Sequence, residues 1–234
     1  MNFLKAEWRK LAIINYEINP DLLLKYLPDG TELDFYKDKC YVSLVGFMFL
    51  NTKLLGISIP FHRNFEEVNL RFYVKKKENG IWKRGVVFIK EIVPKPGLSF
   101  VANSVYKENY HTMPMKNIIH EKEDELLIKY SWKDKSWHSI QLTTDRIAKP
   151  MKADSEFEFI TEHYFGFTKK ENSTSEYEVC HPKWDCYEVK EYQLEIDFHK
   201  VYGKDFECLN HQEPISVMLA EGSEIEVKTK KYII

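Results

Sequence analysis

Asn64-Phe-Glu-Glu-Val-Asn-Leu-Arg-Phe-Tyr-Val74 and, beyond a short polar break, Arg84-Gly-Val-Val-Phe-Ile-Lys-Glu-Ile-Val93 decide how the chain folds. Side chains alternate between the two faces of a strand. In the first run Val68, Leu70, Phe72 and Val74 therefore share one face, and Glu67, Asn69, Arg71 and Tyr73 the other. The second run is apolar on both faces, as in a strand buried on both sides. Strict alternation groups Lys90 with Val86, Phe88 and Ile92, and Glu91 with Val87, Ile89 and Val93. Glu78-Asn79-Gly80 between the runs predicts a hairpin that brings the two strands side by side. A buried ammonium at Lys90 needs a counter-charge or a lowered pKa, and Glu67, with Arg71 sharing its carboxylate, is the expected partner. A solvated polar face is the plain alternative for Glu67, Asn69 and Arg71.

Working outward, Thr31 to Tyr36 and Cys40 to Leu50 also read as strands. Leu126 to Trp132 and Trp137 to Leu142 form a second hairpin, and the Phe157 to Thr168 and Tyr187 to Ile196 stretches continue the β pattern less cleanly. Asn19-Pro20-Asp21 caps a short helix stopped by Pro28-Asp29-Gly30, Leu98 to Tyr106 reads as a helix, and Pro150 opens another that leads to His163. Such spacing favours a barrel or sandwich over a βαβ fold.

With 44% apolar and 15% aromatic residues, 234 positions fill one sizeable core, so a single domain spanning 1–234 is expected. A formal net charge of −2 and only short, separated lysine clusters set nucleic acid aside as a partner. The longest apolar run, Tyr41 to Leu50, is too short to span a membrane, which takes about 20 residues, and no membrane association is expected. Charges occupy the first ten residues where a secretory signal needs its apolar stretch. Cys40, Cys180, Cys186 and Cys208 show no CxxC spacing, which suits reduced thiols in the cytoplasm. Cys180-His181 with Cys186 is too irregular for a metal site, and neither metal nor cofactor is expected. No Gly-x-Ser-x-Gly, P-loop or dinucleotide fingerprint is present.

The strings Glu7-Trp-Arg-Lys10, Cys40-Tyr-Val-Ser-Leu-Val-Gly-Phe47, Phe65-Glu-Glu-Val-Asn-Leu-Arg71 and Arg84-Gly-Val-Val-Phe-Ile-Lys-Glu91 resemble the YqjF-like family of uncharacterised bacterial proteins. Asn109-Tyr110, Thr161-Glu-His-Tyr-Phe-Gly166, His181-Pro182 and Ser216-Val-Met-Leu-Ala-Glu-Gly222 extend the resemblance over essentially the whole chain. That family is distantly similar to acetoacetate decarboxylase. The similarity implies a mainly β fold, an antiparallel β-barrel around an internal pocket with a few short flanking helices.

Tyr26-Leu27-Pro28, Phe65-Glu66-Glu67 and Phe88-Ile89-Lys90-Glu91 follow the decarboxylase pattern in order, so the resemblance puts Lys90 at the Schiff-base nucleophile and Glu67 at the pocket carboxylate. Glu91 departs from it, standing where the decarboxylase has a second lysine. The expected site is Lys90 and Glu67 as catalytic candidates, with Arg71, Asn69, Tyr73 and His163 binding the ligand. Two functions compete. One is a small-molecule-binding barrel for a ligand such as a carboxylate or keto acid; the other is a Schiff-base enzyme, a decarboxylase or aldol-type catalyst acting on a small keto acid. A homo-oligomer is compatible with either.

Overall fold

A two-residue Asn79-Gly80 turn, with φ of 51° and 82°, pairs Glu78 with Ile81 and starts the hairpin the sequence predicts. Both turn residues need positive φ, which Asn and Gly tolerate best. The computed structural model describes residues 2–105, 109–171 and 173–233. Its principal strands are β1 (Asn2–Glu17), β2 (Lys39–Leu54), β3 (Phe65–Glu78), β4 (Ile81–Val93), β5 (Tyr110–Thr112) and β6 (Met115–Glu121). They continue as β7 (Glu125–Lys133), β8 (Trp137–Asp145), β9 (Phe165–Lys169), β10 (Thr174–Cys180), β11 (Val189–Glu195) and β12 (Ser216–Lys228). The helices are α1 (Pro96–Val105), α2 (Glu156–Thr161) and α3 (Phe198–Tyr202), with 3-10 turns at Pro20–Leu22, Leu24–Tyr26 and Lys204–His211.

Hydrogen-bonded pairing runs β12-β1-β2-β3-β4-β9-β10 and returns to β12 through Val179↔Val227 and Cys180↔Glu226, so the sheet closes on itself. Closure removes both edges of the sheet. All neighbours in this ring are antiparallel except β4 and β9, which meet in parallel at Gly85↔Phe165 and Val86↔Gly166. A Cβ at Gly85 would stand 2.5 Å from the Phe165 carbonyl oxygen, so glycine is what lets the two strands approach there.

A second sheet of four antiparallel strands, β11-β8-β7-β6, lies against the outside of the barrel. Burial alternates strictly along β7, and Leu126, Ile128, Tyr130 and Trp132 face Val42, Leu44, Val68, Leu70 and Phe72 in one core. The odd-numbered face of β3 points the other way, into the barrel, with Leu11, Ile13, Val45, Phe47, Phe65, Tyr73 and Val86 in a second core. One sheet thus separates two hydrophobic cores, which is why β2 and β3 are buried on both faces.

Several local expectations change. The Asn19 side chain does cap its turn, accepting from the Asp21 backbone N–H, but the element is two single 3-10 turns and not one helix, because Pro28 follows too soon. The helix expected to end at Tyr106 is described from Pro96 to Val105, and Tyr106 lies outside the described residues. Of the Phe157 to Thr168 stretch only the part from Phe165 onward is strand, within β9: Ser155 caps Glu158 and starts α2 over the earlier part. Phe157, Phe159 and Ile160 of α2 enter the inner core beside Tyr41 and Tyr73 and stopper that end of the barrel.

Candidate functional site

Down the inner face of β3, Glu67, Asn69 and Arg71 line a cavity of about 310 Å3 whose wall is otherwise mostly aromatic and aliphatic, including Trp8, Phe47, Phe49, Phe65 and Phe88. The cavity opens between the strand ends at Phe3, Leu4, Thr52 and Leu54, the loop bearing Ile59 and His62, and Gly97-Leu98 at the start of α1. The opposite end is blocked. There the Tyr73 hydroxyl is 2.7 Å from Ser43 Oγ, Ser43 donates to Asn15, and Asn15 Nδ2 donates to Ser216 Oγ at 2.9 Å, a polar chain above the α2 stopper that is buried as far as Asn15 and half-buried at Ser216. Tyr73, expected on the ligand, belongs to this chain and is not part of the cavity lining.

A bulge determines which residues of β4 reach the cavity. Pairing is regular from Glu78↔Ile81 to Arg71↔Phe88 and resumes at Leu70↔Lys90, so Ile89 is an extra residue. One extra residue exchanges the faces beyond it. Val86 and Phe88 point inward, but after the bulge it is Glu91, opposite Asn69, that points inward, and Lys90 points out. This corrects the strict alternation read from the sequence, and with it the place of Lys90. Its amine donates to the Val201 carbonyl in the last turn of α3 and lies 5.9 Å from the Tyr202 ring centre. Cations favour helix C-termini. Burial lowers the Lys90 pKa, an effect that the Asp134 carboxylate opposes. Among the described residues no carboxylate lies within 4.0 Å of this amine and no lysine lines the cavity. The expected Lys90–Glu67 pair is therefore not formed, and the Schiff-base route implied by the resemblance has no amine at the cavity wall.

Glu91 takes the inward position with Glu67, each 2% exposed. Asn69 Nδ2 donates to Glu67 Oε1 at 2.9 Å, and the Tyr110 hydroxyl donates to Glu67 Oε2 at 3.2 Å. Tyr110 reaches both carboxyls because β5 pairs with β4 in register Glu91↔Tyr110, and its hydroxyl also hydrogen-bonds Glu91. Burial pushes the Glu67 pKa up to about 7, against the lowering effects of Asn69, Tyr110 and Arg71. The Tyr110 hydroxyl is pushed well above its ordinary value by burial and by Glu67.

Arg71 is 9% exposed, forms no ion pair within 4.0 Å among the described residues, and leaves its buried Nε without a hydrogen-bond partner. Trp8 Nε1, Asn69 Oδ1 and His163 Nδ1, on other lining residues, are likewise buried and unpartnered. His163 sits where α2 gives way to β9. Its Nε2 is 3.2 Å from Asp34 Oδ2, which also accepts from Arg84 Nε at 2.7 Å. Burial drives the His163 pKa down to about 4 despite Asp34, so the ring is neutral, with Nε2–H toward Asp34 and Nδ1 as an acceptor. Burial raises the Asp34 pKa, but the bonds from His163 and Arg84 outweigh it and hold the carboxyl below its ordinary range.

The structure thus gathers Glu67, Asn69, Arg71 and His163 at one cavity and leaves Lys90 and Tyr73 outside its lining. Sequence reasoning missed Glu91, Tyr110 and Tyr177. Tyr177 stands over Gly166, where a Cβ would come within 2.2 Å of its ring. The adjacent Asn109-Tyr110 and Gly166 strings carried a signal of these positions, but no role.

A family model described as an uncharacterized conserved protein, DUF2071, matches residues 5–224. The uncharacterized protein YqjF of Bacillus subtilis is 29% identical over 75 residues, which is 32% of this chain; the matched stretch spans only 31% of that relative's length. Among solved structures, acetoacetate decarboxylase from Legionella pneumophila superposes with a TM-score of 0.67 at 15% identity, over 99% of this chain and 87% of that one. The enduracididine biosynthesis enzyme MppR, in complex with pyruvate, gives 0.69 at 11% identity over 99% and 91%. An acetoacetate decarboxylase-like enzyme from Sphingomonas wittichii gives 0.66 at 10% over 100% and 94%. At these identities the likeness is one of fold: mainly β, of the acetoacetate decarboxylase type.

Proposed function

The chain belongs to the DUF2071 family of uncharacterized conserved proteins, and from the cavity it builds we propose a small-molecule-binding barrel whose ligand is a carboxylate with an apolar body. The observation that carries this reading is Arg71: a guanidinium buried in an aromatic cavity, without a carboxylate partner among the described residues. Burying an unpaired cation is costly, and a ligand carboxylate offset by two N–H donors removes that cost. Trp8 Nε1 and Asn69 supply further polar contacts, and the aromatic wall accepts an aliphatic or aryl chain directed toward the mouth. Small size and a single cation suit a 2-oxo acid, the class to which the pyruvate bound by MppR belongs. His163 Nδ1 and the Glu67 end would contact the ligand's remaining polar atoms.

Titration with 2-oxohexanoate at pH 7, followed by calorimetry, tests the reading. Hydrogen bonds to charged groups contribute about 1.5–3 kcal/mol, so Arg71→Met should weaken binding at least about tenfold. The neutral ketone 2-hexanone should bind parent and variant alike. Equal affinity of the keto acid for both proteins would count against the assignment.

A further inference from the structure

Glu67, Tyr110 and Glu91 form a chain of oxygens in which the hydroxyl hydrogen-bonds a carboxyl on either side. Two hydrogen bonds along such a chain require two protons, and a hydroxyl brings one. The second must sit on a carboxyl. Both carboxyls are on the cavity wall, on adjacent strands, with Asn69 between them and Arg71 one position deeper on the same face. Tyr177 from β10, His163 and, at the mouth, His62 are the other titratable groups that line this space.

We propose that Glu67 and Glu91 hold one proton in common through Tyr110 and use it to interconvert the keto and enol forms of a 2-oxo acid held by Arg71, without a covalent bond to the protein. The inference rests on the carboxylate reading above and adds a reaction to it. One carboxylate removes a proton from C3 of the ligand. The C–H pair becomes the C2=C3 bond, the carbonyl π pair moves to oxygen, and the other carboxyl delivers its proton there. One C–H bond is broken and one O–H bond is formed, nothing is oxidised or reduced, and the pair still carries one proton, now on the opposite carboxyl. Tyr110 returns it by accepting from one neighbour while donating to the other. The low dielectric of an aromatic cavity strengthens both transfers. Carboxyls perturbed by burial at a cavity are the groups expected to move protons near neutral pH, and Glu67 is raised in that direction.

Exchange of the C3 protons of 2-oxohexanoate in D2O, followed by proton NMR beside the calorimetric titration, decides the matter. The parent protein should accelerate exchange at least tenfold over buffer. Glu67→Gln and Glu91→Gln should each return it to the buffer rate, Tyr110→Phe should slow it, and Lys90→Met should leave it unchanged. The parent measurement needs no variant to fold, and circular dichroism checks the isosteric ones. Binding without accelerated exchange overturns this inference alone, whereas absence of binding removes the carboxylate reading beneath it. Exchange that survives Glu91→Gln, or that disappears in Lys90→Met, overturns the shared-proton pair in favour of a single base or an imine.

Discussion

Glu67→Gln is expected to be more stable than the parent at pH 8 by roughly 3 kcal/mol, since each pKa unit is worth about 1.4 kcal/mol, and to match it at pH 4. Burial raises the Glu67 pKa in the folded protein to about 7 from an ordinary 4.5. Between those values the folded state binds more protons than the unfolded one, so this group's contribution to stability falls as pH rises through the window. His163 acts in the opposite sense. With its pKa depressed from 6.5 to about 4, the unfolded state binds more protons in that interval, and the contribution grows as pH rises from 4 to 6.5. The two windows overlap and the two slopes oppose each other. The parent should therefore show a nearly flat stability profile between pH 4.5 and 6.5, and Glu67→Gln should unmask a steep rise over the same range. Denaturant titrations at unit pH intervals read this directly. A variant whose profile remains parallel to the parent's would mean that Glu67 is not protonated by its surroundings.

Gly85→Val should cost more than about 3 kcal/mol, because overpacking a tight contact commonly costs 1–3 kcal/mol and this contact is with backbone. A Cβ there meets the Phe165 carbonyl oxygen at 2.5 Å and the Phe167 ring at 2.7 Å. Neither can rotate away cheaply. The pairing between β4 and β9 consists of two residue pairs only, one of them Gly85↔Phe165, so separating the strands opens the barrel along one of its two shortest seams, the other being β10 with β12. Loss of ligand binding should accompany the drop in melting temperature. Gly80→Ala supplies the contrast: nothing lies within 4 Å of its added Cβ, and only the positive φ is strained. If Gly85→Val melts within a few degrees of the parent, the seam is more yielding than its geometry indicates.

Legibility in the sequence followed the strength of the local pattern. Asn79-Gly80 and the alternation from Glu67 to Val74 disclosed the central hairpin and the polar inner face of β3, and the structure assembles both as read. The barrel itself came from the resemblance, since spacing alone left barrel and sandwich open. What could not be read was the side on which Lys90 falls. Val86-Val87-Phe88-Ile89 is apolar at every position, so no polar residue marks which face is which, and an extra residue inside such a run leaves no trace. Tyr110 was invisible for another reason. It joins the carboxyls through a three-residue parallel strand, and contacts between distant segments have no local signature. His163 was legible as a candidate ligand contact, but its partnership with Asp34, 129 positions earlier, was not.

The polar chain from Tyr73 to Ser216 and the α2 helix beneath it close one end of the barrel, and that has a kinetic meaning. A cul-de-sac imposes an order of arrival. Whatever occupies Arg71 must enter first, and any second molecule stacks behind it toward Phe3, Leu54 and Leu98 at the portal. Departure reverses the sequence, so the outer guest leaves before the inner one can. An apolar compound lodged at the portal should therefore slow release of a bound acid as well as its entry, lengthening residence time without changing the equilibrium at Arg71. In a barrel open at both ends, the same compound would close one of two routes, and entry and release would both continue through the other.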